Sequence, residues 1–216
     1  MVLKANPMRI SNAGSCALLL DMSNGPFEDE IQSRIWAYAK RVSDLSSVTM
    51  ALPGANNLLV VHDPDLEDPD ALCLTLRQEW ESVDGDAPAP REHIIPVTYD
   101  GEDLDFIASK TRMSVENIAA RHQSGTYRVA MLGYSPGFGY LTGLHSSLNL
   151  MRRDTPRLNV ARHSVCIGGG FTCIIPSTAP SGWHIIGTAH CAPFFDPNAP
   201  SPCLLKAGDI VRFERV

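Results

Sequence analysis

The sequence predicts an α+β domain of the split βαβ type followed by a mostly β domain. Up to residue 97, apolar runs of strand length alternate with two stretches of helical periodicity, in the order βαββαβ. From Tyr127 onward, short β-rich runs alternate with Gly- and Pro-rich loops, the pattern of a small β-barrel or sandwich. Between the two parts, residues 85–90 are rich in Pro and Gly, which oppose both helix and strand. We therefore expect domains at 1–86 and 91–216.

The first domain has the element order of a ferredoxin-like fold. Its strands are predicted at 17–20, 48–52, 58–61 and 93–97. Pro26 is expected near the first turn of helix one, whose apolar face is formed by Ile31, Ile35, Tyr38 and Val42. Leu72, Leu76 and Trp80 recur every four residues and predict a second helix over 68–83.

The second domain opens with two short helices, at about 104–110 and 114–123, and Ser114 is a suitable N-cap for the latter. Short strands are predicted at 129–132, 165–167, 171–175, 184–186 and 210–213. The glycine run 168–170 favours a tight connection between two strands with positive φ over a phosphate-binding loop, because no helix pattern follows it.

Composition excludes several classes of function. Of 216 residues, 44% are hydrophobic and 19% are charged, and the net charge is -6. A nucleic-acid or anionic-membrane surface needs a basic face, so neither partner is expected. The sequence contains no membrane-spanning apolar stretch, and its start lacks the apolar core of a signal peptide. We therefore expect a cytoplasmic protein with six free cysteines.

Several motifs along the chain are similar to those of one bacterial family. The segment 133–144, GYSPGFGYLTGL, resembles the family's G-[FY]-x-P-G-F-x-Y-L-x-G-[LM] loop. Further matches are PRL at 156–158, SVCIGGGFT at 164–172, PSGWHIIG at 180–187 and LLKAGDIVRF at 204–213. The chain thereby resembles the family that comprises allophanate hydrolase subunit 1, the B subunit of 5-oxoprolinase, and KipI.

That resemblance implies a ferredoxin-like domain followed by a cyclophilin-like β-barrel. It also implies a KipA-like partner subunit and a small amide or ureido substrate such as 5-oxoproline, urea or allophanate. One member of the family inhibits a histidine kinase. Self-association into a homo-oligomer stays open beside the KipA-like partner.

The sequence departs from the family at positions within the same glycine-rich frame. Phe171 replaces a glutamine, Cys173 a glycine and Ile175 a tyrosine, while Ala161-Arg162-His163 replaces P-A-G. Ser181 replaces a glycine, and Gly187-Thr188-Ala189-His190 stands where the family has G-R-T-P. The resemblance therefore predicts a retained scaffold with an altered ligand.

We expect the functional pocket at the mouth of the barrel. Its predicted substrate-binding residues are Tyr134, Pro136, Phe138, Tyr140, Phe171, Cys173 and His122. Aromatic loop residues on a scaffold commonly form binding walls, although Phe138 and Tyr140 alternatively plug the end of the barrel. The predicted catalytic residues are Arg157, His163 and His190: an arginine can clamp a carboxylate, and histidine titrates near neutrality. For each histidine taken alone, an ordinary surface position is the alternative.

Neither a metal nor a cofactor is expected. His163, His184 and His190 share one stretch with Cys166, Cys173 and Cys191, but their spacing matches no standard zinc pattern. The sequence contains no Walker loop and no G-x-S-x-G elbow.

Three functions follow as hypotheses. The chain is an enzyme subunit acting on a small cyclic amide or ureido compound, a stand-alone isomerase, lyase or cyclase with a more apolar substrate, or a regulatory binding module. Fold alone does not decide among them.

Overall fold

The computed structural model describes residues 8–23, 25, 27–83 and 89–216. Within it the chain divides into two compact units, Met1–Ala89 and Pro90–Val216. The predicted domain limits, 86 and 91, fall beside this division. Pro26 and residues 85–88 of the expected linker lie outside the described residues.

The first unit is a four-stranded antiparallel sheet with two helices. Its elements are β1 (Arg9–Asn12), β2 (Ala17–Asp21), α1 (Asp29–Val42), β3 (Val48–Pro53), β4 (Asn57–His62) and α2 (Pro69–Ser82). The sheet order is β1-β2-β4-β3. Both helices turn apolar faces to a core that includes Leu20, Ile35 and Leu76, all fully buried. Asp68 caps α2 by accepting a hydrogen bond from the Ala71 N–H at 2.9 Å.

The second unit is a closed barrel with two helices and a two-stranded ribbon. Its first elements are β5 (Glu92–Thr98), α3 (Leu104–Thr111), α4 (Val115–Gln123), β6 (Tyr127–Leu132) and β7 (Gly139–Thr142). A 3₁₀ turn (Ser146–Leu148) precedes β8 (Arg157–Val160), β9 (Ser164–Gly168), β10 (Phe171–Ile174), β11 (Ala179–Ser181), β12 (His184–Ala189) and β13 (Ile210–Arg215). The barrel runs β10-β7-β6-β13-β5-β12-β9, and β8 pairs with β11 in a separate ribbon.

The predicted fold class is confirmed, with one strand corrected. The segment predicted at 93–97 does form a strand, β5, but its assignment to the first domain is wrong. β5 pairs in parallel with β13 and antiparallel with β12, so it is a barrel strand. In the first sheet, β1 occupies the edge next to β2 instead. An apolar alternation specifies an extended segment but not its neighbour, which is why the sequence pattern misplaced it.

Strand alternation separates the two faces of the barrel wall. Val165, Ile167 and Ile174 belong to the core that fills the barrel. Their neighbours Cys166 and Cys173 lie opposite each other on β9 and β10 and belong to a second apolar cluster, on the outer face. The hairpin between these strands turns at Gly169 and Gly170, with φ of 61° and 85°. This is the tight connection that the sequence predicted.

No helix within the described ranges is long and apolar enough to cross a bilayer.

Candidate functional site

The Pro-Gly-Phe loop between β6 and β7 is closed by its own backbone. The N–H of Gly133 donates to the Phe138 carbonyl at 3.1 Å, and the N–H of Phe138 donates to the Ser135 carbonyl at 3.0 Å. Gly137 has φ of 77°, and a Cβ there would lie 2.7 Å from the Phe194 carbonyl oxygen. Tyr134 has a positive φ of 66° without being glycine, a conformation kept only where the surroundings enforce it. The loop is therefore a rigid element.

Four aromatic rings meet beside this loop. Phe138 is surrounded by Tyr134 at 5.4 Å, Tyr140 at 4.9 Å and Trp183 at 6.1 Å between ring centroids. All three pairs are edge-to-face, the favoured arrangement for aromatic side chains. Phe171 contacts Tyr140 edge-on at 6.1 Å. The loop residues predicted as binding walls thus come together, with Trp183 added.

The floor of this cluster is apolar. Cys166, Cys173 and Ile175 are buried against Phe138 and Trp183. Burial, with a contribution from the neighbouring Cys166, raises the pKa of the Cys173 thiol well above its usual value. Cys173 is therefore a neutral packing residue beneath the cluster, not a nucleophile.

An open cavity of about 260 Å³ lies against the rings, and we call it the aromatic cavity. Its lining comprises Tyr134, Phe138, Tyr140, Arg152, Pro156, Pro180, Ser181, Gly182 and Trp183. The Arg152 guanidinium lies 5.5 Å from the centre of the Trp183 ring, a cation–π contact. The Tyr134 hydroxyl donates to the Pro180 carbonyl at 2.8 Å and so ties the loop to β11.

The expected position at the barrel mouth is wrong. The barrel interior is filled by apolar side chains, whereas the aromatic cluster belongs to the outer side of the β9–β10 wall. The reason is that successive side chains along β10 point to opposite faces of the barrel wall. Phe171 and Cys173 face outward, while Thr172 and Ile174 between and after them face the barrel core. Phe171 and Cys173 support the cavity from below and do not line it.

Sequence reasoning missed the roles of Trp183 and Arg152. Trp183 stands in the PSGW motif, so a tryptophan after a Ser-Gly turn was the available signal. Arg152 has no comparable signal, because it lies in the irregular segment between the 3₁₀ turn and β8.

Arg157 has a different place from the one expected. Its guanidinium makes a two-pronged pair with Asp103, at 2.9 and 2.7 Å, and its Nε lies 2.9 Å from Glu102. Asp103 also accepts hydrogen bonds from Arg153 at 3.0 Å and from the N–H of Ile185 at 2.7 Å. With its nitrogens engaged in this way, Arg157 holds β8 against the start of α3 and β12 instead of offering a free carboxylate clamp.

The Asp103 carboxylate is stabilised as an anion. Burial alone would raise its pKa, but the hydrogen bonds from Arg157 and Ile185, with the charges of Arg157 and Arg153, outweigh it and lower the pKa. The pKa of Arg157 rises correspondingly, chiefly through its hydrogen bond to Asp103.

His122 lies in the barrel core, so its expected contact with a ligand is not supported. It is fully buried, and Nδ1 lies 2.8 Å from the Tyr99 hydroxyl while Nε2 lies 3.0 Å from the Thr172 hydroxyl. The Thr172 hydroxyl donates to the Cys166 carbonyl at 3.0 Å, so it accepts from Nε2–H, and Nδ1 accepts from Tyr99. Burial lowers the pKa of His122 to about 3, consistent with this neutral tautomer.

His163 and His190 lie near each other but do not line the aromatic cavity. His163 has φ of 68°, its N–H donates to Ile175 at 2.6 Å, and its ring meets Phe194 edge-on at 6.2 Å. Partial burial, then the charges of Arg162 and His190, lowers the pKa of His163. His190 Nε2 lies 2.8 Å from the Thr98 hydroxyl. His163 therefore lies beside Phe194, whose carbonyl abuts Gly137 of the loop.

Pro136 is an exposed residue of the loop and stands outside the cavity lining. In the described part of the chain, no three His, Cys, Asp or Glu side chains come together as metal ligands would. The expectation of a metal-free site stays a prediction.

A closed barrel with an outer ribbon, following an α+β unit, defines the class as a cyclophilin-like barrel protein with an α+β companion unit. The family model of the carboxyltransferase domain, subdomain C and D, matches residues 8–205. The chain belongs to this family. Its match includes the Pro-Gly-Phe loop, the glycine hairpin and the PSGW segment.

Named relatives and solved structures agree with this assignment. The protein named as the B subunit of 5-oxoprolinase in Escherichia coli O157:H7 is 38% identical over 207 residues, covering 93% of this chain and 92% of the relative. The crystal structure of TTHA0988 superposes with a TM-score of 0.80 at 33% identity, covering 93% of this chain but only 39% of that one. Kluyveromyces lactis urea carboxylase shares the fold, with a TM-score of 0.80 at 19% identity over 97% of this chain and 22% of its own.

Proposed function

We propose that this chain is the substrate-binding subunit of a 5-oxoprolinase-type enzyme, acting on a small cyclic amide or ureido compound beside a KipA-like partner. The observation that carries the proposal is the aromatic cavity with Arg152 at its edge, in a chain whose relative is named as a subunit of 5-oxoprolinase. The word subunit in that name supports a multi-chain enzyme.

The cavity suits a single small ring with one anionic end. Its volume of about 260 Å³ lies below the range typical of drug-sized ligands. Trp183 and the loop tyrosines offer flat apolar surfaces to a planar amide ring. Arg152 supplies the planar cation that pairs with a carboxylate.

This chain is equipped to bind and orient, and we infer that the partner supplies proton transfer. Opening a cyclic amide adds water: the carbonyl carbon gains the water oxygen, the C–N bond breaks, and the nitrogen takes up a proton. The titratable groups of the lining are tyrosines and an arginine, and burial raises the pKa of Tyr140 further above neutrality. Neither His163 nor His190 is among the residues that line the cavity.

The test is reconstitution with a KipA-like subunit from the same source. Glutamate release from 5-oxoproline is measured with ATP supplied, since an energy-coupled partner would require it. Hydrolysis of urea and of allophanate is measured separately under the same conditions. We expect activity from the pair and none from the chain alone. Inactivity of the pair on all three substrates contradicts the proposal, and turnover by this chain alone favours the stand-alone enzyme.

Point substitutions in this chain test where the substrate binds. Arg152→Gln is expected to raise KM about tenfold with little change in kcat, as loss of a charge-assisted carboxylate contact requires. Arg9→Gln removes the same charge from an exposed ion pair in the first unit and serves as the matched control. His163→Ala is expected to leave kcat unchanged. A lowered kcat with unchanged KM in His163→Ala would instead show that this chain supplies acid–base catalysis.

A further inference from the structure

A second, larger cavity lies beside the aromatic cavity, between α3 and the segment that precedes β8. Its volume is about 550 Å³, within the usual range for small-molecule sites. Its lining comprises Phe106, Lys110, Leu150, Met151, Arg152, Arg153, Asp154, Thr155 and His184. Its walls are anchored by backbone: the N–H of Arg153 donates to Gly182 at 2.7 Å, and the N–H of Gly169 donates to Leu150 at 2.8 Å. We call it the α3 cavity.

A flat π surface forms one side of the α3 cavity. The rings of Phe106 and His184 are stacked, with centroids 5.1 Å apart and planes at 19°. Phe106 is 43% exposed although it lies on a helix whose neighbouring residues reach the core, so an apolar face is left open. Lys110 Nζ lies 5.5 Å from the centre of the same ring. A planar group placed here gains stacking on Phe106 beside a cation.

The lining of the α3 cavity carries a net positive charge, although the chain as a whole is negative. The protein carries a net charge of -6, yet this lining holds Lys110, Arg152 and Arg153 against one carboxylate, Asp154. Arg153 is tied to Asp103. Within the described residues, Lys110 and Arg152 form no ion pair, so two cations are available to an anion. This balance favours a carboxylate ligand.

His184 adds a hydrogen-bond acceptor without a partner. The residue is 3% exposed, and Nε2 lies 3.0 Å from the Met151 carbonyl. A carbonyl only accepts, so Nε2 carries a proton, and in the Nε2–H tautomer Nδ1 is an acceptor. Nδ1 is buried and, in the part of the chain described, has no partner. Buried polar atoms are nearly always paired, so an unpaired one in a cavity wall indicates a donor that arrives with a ligand.

We propose that the α3 cavity is a second ligand site, which takes a small planar carboxylate carrying an N–H donor. Lys110 and Arg152 hold the carboxylate, Phe106 offers its face to the planar part, and Nδ1 of His184 accepts the N–H once the exposed Phe106 ring shifts off the imidazole. Arg152 also lines the aromatic cavity, so the two sites share one cation. This inference concerns binding to the chain itself and does not rest on the proposed reaction.

Calorimetric titration of the purified chain tests the proposal with a matched pair of probes. The first probe is 5-oxoproline, and the second is the corresponding lactone carboxylate, in which a ring oxygen replaces the N–H. We expect the lactam to bind at least about fivefold more tightly than the lactone, since the lactone oxygen leaves the acceptor on His184 unpaired. Equal binding of both probes, or binding of neither at millimolar concentration, overturns the proposal.

Two substitutions assign the binding to this cavity. Lys110→Gln is expected to weaken lactam binding about fivefold to tenfold, whereas Lys40→Gln, the same charge change on exposed α1, leaves it unchanged. His184→Gln keeps an N–H near the position of Nε2 for the Met151 carbonyl but removes Nδ1, so the preference for lactam over lactone should vanish. Melting temperature checks folding, and the surface variant Lys110→Gln keeps the test valid if His184→Gln misfolds.

A third substitution separates the α3 cavity from the aromatic cavity. Tyr134 lines only the aromatic cavity, so Tyr134→Ala is expected to leave the Lys110-dependent binding in place. If Tyr134→Ala abolishes all lactam binding while Lys110→Gln binds the lactam as tightly as the unmodified chain, there is a single site at the loop and the inference is overturned. Failure of the reconstituted enzyme would leave these binding results standing, so the two proposals fail separately.

Discussion

Removal of the Asp103 carboxylate should destabilise the second unit more than any change at the cavity surface. Asp103 is 3% exposed and receives four hydrogen bonds, three from Arg153 and Arg157 and one from the N–H of Ile185. Asp103→Ala leaves the Arg157 guanidinium, whose side chain is 22% exposed, without its main counter-charge. Breaking a buried pair in this way costs about 3–5 kcal/mol, and we expect about 4 kcal/mol here.

The double-mutant cycle separates this role from a catalytic one. Arg157→Met should cost less than Asp103→Ala, and the double variant should recover part of the loss, because the stranded guanidinium is gone. Asp103→Asn keeps the shape and one acceptor, so about 2 kcal/mol is expected. The measurement is urea unfolding followed by circular dichroism. A cost below about 1 kcal/mol for Asp103→Ala, or strictly additive single effects, would refute the structural assignment of Arg157.

Three further predictions concern the core and the loop. Since burial lowers the pKa of His122 to about 3, this group's contribution to stability is complete above pH 6.5 and is lost as pH falls toward 3. The free energy of unfolding should therefore be larger at pH 7 than at pH 5 by about 2 kcal/mol from this group, and the difference should be smaller in His122→Gln. Gly137→Ala should cost more than Gly169→Ala, because both have positive φ but only the first Cβ meets backbone, at 2.7 Å from Phe194; equal thermal shifts would contradict the close approach. Tyr134→Phe loses one hydrogen bond at an exposed ring and should cost under about 1 kcal/mol by thermal unfolding.

Local patterns predicted most of the elements. The four-residue recurrence of Leu72, Leu76 and Trp80 placed α2 correctly at Pro69–Ser82. Ser114 does cap α4, accepting from the Asn117 N–H at 3.2 Å. The β5 assignment failed because pairing partners far apart in sequence leave no local trace. Here β5 pairs with a strand more than a hundred residues later, at a register that joins Ile210 to Glu92.

The site was predictable in its apolar part and not in its polar part. Aromatic residues in a Pro-Gly loop predict a rigid wall of a binding site, and Tyr134, Phe138 and Tyr140 do line one cavity. An arginine carries no local sign of its partner, so the commitment of Arg157 to Asp103, 54 residues earlier, was invisible. The same holds for His122, whose burial depends on strands that close around it.

Five of the departures from the family fall into two groups in space, which refines the ligand they imply. Phe171, Cys173 and Ile175 replace glutamine, glycine and tyrosine, and all three pack beneath the aromatic cavity, so this floor gains apolar surface. His163 and His190 lie near each other and outside the lining of this cavity. Random loss of function would not confine the apolar replacements to one floor while leaving the aromatic walls intact. A more apolar floor beneath the cationic edge formed by Arg152 favours a ligand with one hydrophobic face and one anionic end. Such a ligand is still a small ring with a carboxylate, and this is why the substrate class can persist while its substituents change.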